Sequence, residues 1–108
     1  MTKPYYAVIF TSTRISGDKG YSKMSEFMEL LARKQTGFIN IESARQEIGI
    51  TVSYWESLDA IDKWKQQADH LLAQKKGISD WYDSYTVRIC LVEREYNFTR
   101  KNNEIFPN

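Results

Sequence analysis

Two hydrophobic periods alternate along the chain. Residues 5–12 (YYAVIFTS) are aromatic and β-branched and predict a strand, with Pro4 tolerated at its start. From Lys19 to Gln35 the period becomes helical: Met24, Phe27, Met28 and Leu31 fall at i, i+3, i+4 and i+7. Lys23, Glu26, Glu29 and Arg33 lie off that stripe. Asp18 or Ser22 suits the helix start, and Gly37 suits a left-handed stop. Residues 38–45 (FINIESAR) alternate again, with Ile39 and Ile41 on one face and Asn40 and Glu42 on the other. After a turn at residues 46–49, residues 50–55 (ITVSYW) predict a second strand of the same hairpin.

Ser57 reads as the N-cap of a second helix, with Asp59 in its first turn. Leu58, Ile61, Trp64, Lys65 and Ala68 carry its period, and Leu71 and Leu72 extend it to about Lys76 before Gly77. Residues 79–84 (SDWYDS) predict a short helical connector, and residues 85–96 the longest strand. On that strand Val87, Ile89 and Leu91 face one way, and Arg88, Cys90 and Val92 the other. The order β-α-β-β-α-β predicts an α+β, ferredoxin-like fold, a four-stranded antiparallel sheet with two helices on one face. Apolar residues point both ways along three strands, so the second sheet face needs a cover. A second copy is the simplest one, because a two-fold dimer needs only one self-complementary patch.

Composition narrows the classes. A length of 108 residues predicts one domain, with a core over about residues 4–96 and a polar tail over 97–108. A net charge of +1 argues against a nucleic-acid surface, and no run approaches a membrane span. Without a recognisable signal peptide, the expected compartment is the cytosol. One cysteine, Cys90, and one histidine, His70, argue against an internal disulfide, a Cys-based zinc cage and multi-histidine metal sites. Fifteen aromatics beside twenty Leu, Ile and Val make rings an unusually large share of the buried area. Such rings serve an interface with a second copy, a cavity for a flat ligand, or an ordinary core.

Three stretches carry a resemblance: the first strand PYYAVIFTS, the Gly37-Phe38 start of the second, and ITVSYWES-LDAIDKWKQQADH over residues 50–70. Over residues 4–96 the chain resembles the antibiotic biosynthesis monooxygenase domain. The resemblance implies a homodimeric α/β barrel with a cavity in each protomer. It further implies oxidation of a small aromatic or quinol by dioxygen, with no metal, flavin or other cofactor. A non-catalytic dimeric ligand-binding or stress-related protein of the same fold is the alternative. The family's heme-degrading branch uses an Asn on the first strand and a Trp and axial His on the second helix. Trp64 matches, but the strand ends Thr11-Ser12-Thr13-Arg14 and Gln74 stands where the axial His belongs. Heme chemistry is therefore set behind the other two readings.

The candidate site is an apolar pocket between helices and sheet, lined by Phe27, Trp64, Trp81, Tyr82 and Tyr85, with Ser12 and His70 as its polar edge. His70 is the candidate catalytic base, the one side chain whose ordinary pKa suits a proton shuttle near neutrality. On an unbroken helix it falls on the polar face, half a turn from Ile61. A break between Gln66 and Asp69 would turn it inward. Arg88 reads as a cross-strand partner of Glu42 or a contact for an acidic ligand, and Cys90 as an inert thiol. In the tail, Phe98 and Phe106 are the expected anchors against a partner subunit.

Overall fold

The computed structural model describes residues 3–74 and 77–100. Strand β1 (Tyr5–Arg14) leads to helix α1 (Tyr21–Arg33), strands β2 (Phe38–Arg45) and β3 (Gly49–Trp55), and helix α2 (Leu58–Gln74). A short helix α3 (Gly77–Trp81) then feeds strand β4 (Tyr82–Val92). The four strands form one antiparallel sheet in the order β2-β3-β1-β4, the ferredoxin-like arrangement.

Register sorts the side chains into two faces, because directly paired residues share a side. Val8 pairs with Ser53 and Ile89, Phe10 with Thr51 and Val87, and Ser12 with Gly49 and Tyr85. Ile41, Ser43 and Arg45 continue these three rungs onto β2. This face meets the helices. Trp55 and Ile61 are fully buried beside Ala32 and Ala60, and Val8, Phe38 and Trp64 pack around them. The indole N–H of Trp55 donates to Ser53 Oγ at 2.8 Å, so its polar atom is satisfied inside the core. The opposite face carries Tyr5, Ile9, Val52, Tyr54, Arg88, Cys90 and Val92, with no helix of the described residues above it.

The helix ends show local chemistry. Ser57 Oγ accepts from the Ala60 N–H at 3.1 Å, as an N-cap should. Asp18 does not cap α1 directly. Lys19 (φ 47°) and Gly20 (φ 85°) turn left-handed and make Gly20 the N-cap residue, while the Asp18 carboxylate accepts from the backbone N–H and hydroxyl of Ser22. Gly37 has φ +86°, and a Cβ there would lie 2.7 Å from Ala60 Cβ. The chain leaves α1 left-handed at the point where the first turn of α2 packs closest.

Three expectations need correction. β4 runs from Tyr82 to Val92 instead of 85–96, because α3 ends early at Trp81. Arg88 cannot bridge to Glu42, since β2 and β4 lie at opposite edges of the sheet; Glu42 accepts from Tyr54 Oη at 3.0 Å instead. α2 is continuous through residues 66–69, which decides where His70 points. Phe106 and the expected end of the helix at Lys76 lie outside the described residues. No helix among the described residues is long and apolar enough to cross a membrane.

Candidate functional site

A cavity of about 190 Å³ lies between the helices and the helix-side face of the sheet. Its roof comes from two helical stripes: Tyr21, Met24 and Met28 on α1, and Ile61, Trp64 and Leu72 on α2. Val8, Phe10, Ile41 and Ser43 form the floor with Thr51 and Ser53, and Val87 and Ile89 of β4 form one side. Trp81, Tyr82 and Tyr85 close an end. The rings there interlock. Phe10 stacks on Tyr85 with centroids 5.3 Å apart, and Tyr82 meets Phe10, Tyr21 and Tyr85 edge-on at 5.6–5.9 Å. At the other end Trp64 stacks on the buried Trp55 at 6.1 Å. The Trp81 indole N–H donates to the Lys19 carbonyl at 2.9 Å and so ties α3 to the loop before α1.

Four predicted site residues, Trp64, Trp81, Tyr82 and Tyr85, therefore meet around one cavity. The other three do not line it. Phe27 is 49% exposed, because the buried stripe of α1 centres on Tyr21, Met24, Met28 and Ala32 and leaves position 27 at its outer margin. His70 is exposed and sits in a shallow groove with Gln35, Thr36, Lys63 and Gln67 on another side of α2. Nine residues at 100° each place it half a turn from Ile61 on a helix that does not break. Ser12 is buried and accepts a hydrogen bond from Arg45 Nη2.

Sequence reasoning did not select Tyr21, Arg14 or Arg45, although alternation along β2 already sets Arg45 on the face of Ile41 and Ser43. The Arg14 guanidinium lies 3.6 Å from the Tyr21 ring centroid and that of Arg45 lies 5.7 Å from it. Arg14 also donates from Nε to the Trp81 carbonyl and from Nη2 to the Gly17 carbonyl, both at 3.1 Å. Burial, then Tyr21, pushes the Tyr82 phenol well above the ordinary tyrosine value, with Arg45 and Arg14 pulling against the rise. Tyr82 thus stays a neutral hydrogen-bond donor near neutrality. Among the described residues no group of three His, Cys, Asp or Glu side chains is placed to hold a metal ion.

The geometry can be set beside known proteins. No family model matches the chain. The uncharacterized protein YqjZ of Bacillus subtilis is 47% identical over 103 residues, covering 94% of this chain and 90% of its own. The chain belongs to the YqjZ family. Its fold is shared with solved structures assigned to the antibiotic biosynthesis monooxygenases. SnoaB of Streptomyces nogalater, a cofactor-independent oxygenase solved as a single-residue variant, matches with a TM-score of 0.69 at 10% identity, covering 84% of this chain and 95% of that one. A Bacillus cereus protein assigned to the antibiotic biosynthesis monooxygenases matches at 0.60 and 19% identity, covering 89% of this chain and 100% of that one. A Nitrosomonas europaea protein with the same assignment matches at 0.67 and 11% identity over 80% of this chain and 88% of its own. At such identities these structures speak for the YqjZ family's fold alone.

Proposed function

We propose that the cavity binds a small flat aromatic or quinol-type molecule and that the protein oxidises it with dioxygen, without a cofactor. The observation that carries this reading is the ring-lined cavity, set in a fold shared with a cofactor-independent oxygenase. Flat apolar ligands favour aromatic walls with few polar groups. In the reaction, the ionised hydroxyl of the substrate makes its ring electron-rich enough to reduce dioxygen. A ring C–H conjugated with that oxygen is replaced by a carbonyl as one oxygen atom enters the product and the other leaves as water with the two hydrogens lost from the ring carbon and the hydroxyl. On this reading Trp64, Trp81 and Tyr85 hold the ring, and Tyr82 donates to a ligand oxygen. Oxygen uptake across a panel of anthrones, naphthols and quinols tests the reading. Stoichiometric uptake with a carbonyl product supports it, and saturable binding of the same compounds without uptake overturns the catalytic part.

One observation favours a second reading, a non-catalytic binding protein of the same shape. His70, the one histidine, lies outside the cavity, so no imidazole base serves it from this chain. Binding without turnover is the outcome that reading requires.

We also propose a homodimer formed through the helix-free sheet face. Within one chain Ile9, Val52 and Val92 on that face are only half-buried, and Ile50 is exposed.

A further inference from the structure

The floor of the cavity ends in a rung unlike the two before it. Ile41-Ser53-Val8-Ile89 and Ser43-Thr51-Phe10-Val87 cross the sheet as apolar and hydroxyl residues. The next rung is Arg45-Gly49-Ser12-Tyr85. A Cβ on Gly49 would overlap the Arg45 guanidinium, so the guanidinium runs across the sheet where the glycine leaves room and reaches Ser12. Arg45 follows Ser43 on the same face, and Ser43 and Tyr21 both line the cavity. Arg14 converges on the same tyrosine ring. Two guanidinium groups beside one ring repel each other, and among the described residues no carboxylate lies within ion-pair distance of either. Arg14 spends its donors on the Trp81, Gly17 and Asp18 carbonyls. Arg45 gives one to Ser12, and its remaining donors have no partner among the described residues. The cavity wall is apolar around Ile61, Leu72 and Trp64, and its charged residues, Glu29, Lys65 and Asp69, are spent in the Arg33–Glu29 and Lys65–Asp69 ion pairs. The Arg45 and Arg14 guanidiniums stand outside the wall, behind Tyr21 at the far end.

We propose that the Arg45 guanidinium, adjoining the cavity at Tyr21, forms an anion subsite that binds a charged oxygen on the ring of the ligand. A guanidinium with free donors matches a carboxylate or phenolate oxygen, and such charge-assisted bonds are the strong ones. The inference rests on the aromatic-ligand reading above and narrows its substrate class to aromatic acids and ionised phenols. Gly49 is a positioning residue, since it clears the path of the guanidinium.

Quenching of tryptophan fluorescence by 2-naphthoate and by its neutral isostere 2-naphthamide tests the proposal. Naphthoate should bind about tenfold more tightly to the native protein. The ratio should fall to within about twofold in Arg45→Gln and in Gly49→Ala, which keeps the charge but displaces it. A merely structural Arg45 would lower the melting temperature of both variants and leave the ratio unchanged, which overturns the proposal. Titrating 2-naphthol against pH separates the two sources of charge. An affinity that rises with its ionisation, in the native protein only, assigns the subsite to phenolate. Equal binding of charged and neutral forms of both probes overturns the subsite but leaves the aromatic cavity. No binding of any of them overturns both.

Discussion

Gly37 carries the sharpest residue-level constraint in the fold. Its φ of +86° disfavours any side chain, and a Cβ would press on Ala60 in the core. A left-handed conformation costs about 1–2 kcal/mol for an alanine, and overpacking adds about 1–3 kcal/mol. Gly37→Ala should therefore lose about 2–5 kcal/mol in urea unfolding, with the slope of the transition unchanged. Trp64 and His70 make a contrasting pair on one helix. Trp64→Ala removes a cavity wall and should weaken aromatic binding about tenfold or more, whereas His70→Ala should leave it within about twofold. A tenfold loss in His70→Ala would return the imidazole to the site. The sequence allowed either position for His70, because periodicity assigns a face only when the helix is known to be unbroken. Trp81, Tyr82 and Tyr85 were legible as a group because ring-rich residues next to a connector have few other places to pack. Arg45 was not, since nothing local distinguishes it from a solvated strand end. Its partners Ser12, Gly49 and Tyr21 come from three other segments.

The elements themselves follow from alternation and helical period, and their errors are local. β4 starts three residues early because Tyr82 stays in the ladder opposite Arg14, past a register shift at Thr13. At its other end the ladder stops at Val92, yet Glu95 is held: Tyr5 Oη donates to its carboxylate at 2.5 Å, and Asn97 Nδ2 donates at 3.1 Å. The hydrogen bond from Tyr5 lowers the Glu95 pKa, and the same bond pushes that of Tyr5 up to about 12. The signs follow by linkage. The Glu95 contribution is present above the ordinary carboxylate range and lost as pH falls through its lowered value. The Tyr5 contribution is complete below the ordinary phenol value and lost as pH rises through about 12. Both groups are exposed, so the effect on global stability should be small. The contact should instead appear as a phenol that ionises near pH 12 in an ultraviolet titration. Tyr5→Phe should delete that phenol, and Glu95→Gln should return it toward the ordinary value. An unchanged titration in both variants would mean that Glu95 and Tyr5 do not hold each other in solution.

At the scale of the whole molecule, the face without helices is what the sequence made most visible and one chain leaves unfinished. Ile9 lies at its centre, paired with Val52 on one side and Arg88 on the other, and Val92 pairs with Tyr5 near its edge. Ile89 pairs with Val8 beneath the helices and lines the cavity instead. Alternation along β4 separates these roles, so a charge at one position or the other should have different consequences. Light scattering at micromolar concentration should give about twice the 12.7 kDa chain mass for the native protein. Ile9→Asp and Val92→Asp should each bury a carboxylate in the interface and yield a monomer or an unfolded chain. Ile89→Asp should remain a dimer while losing affinity for aromatic ligands, because the new charge faces the cavity. A native protein that scatters as a monomer would overturn the dimer. Dimeric Ile9→Asp and Val92→Asp would place the contact elsewhere, and Val87, Ile89 and Leu91, exposed on the helix side of β4, would become the surface to test.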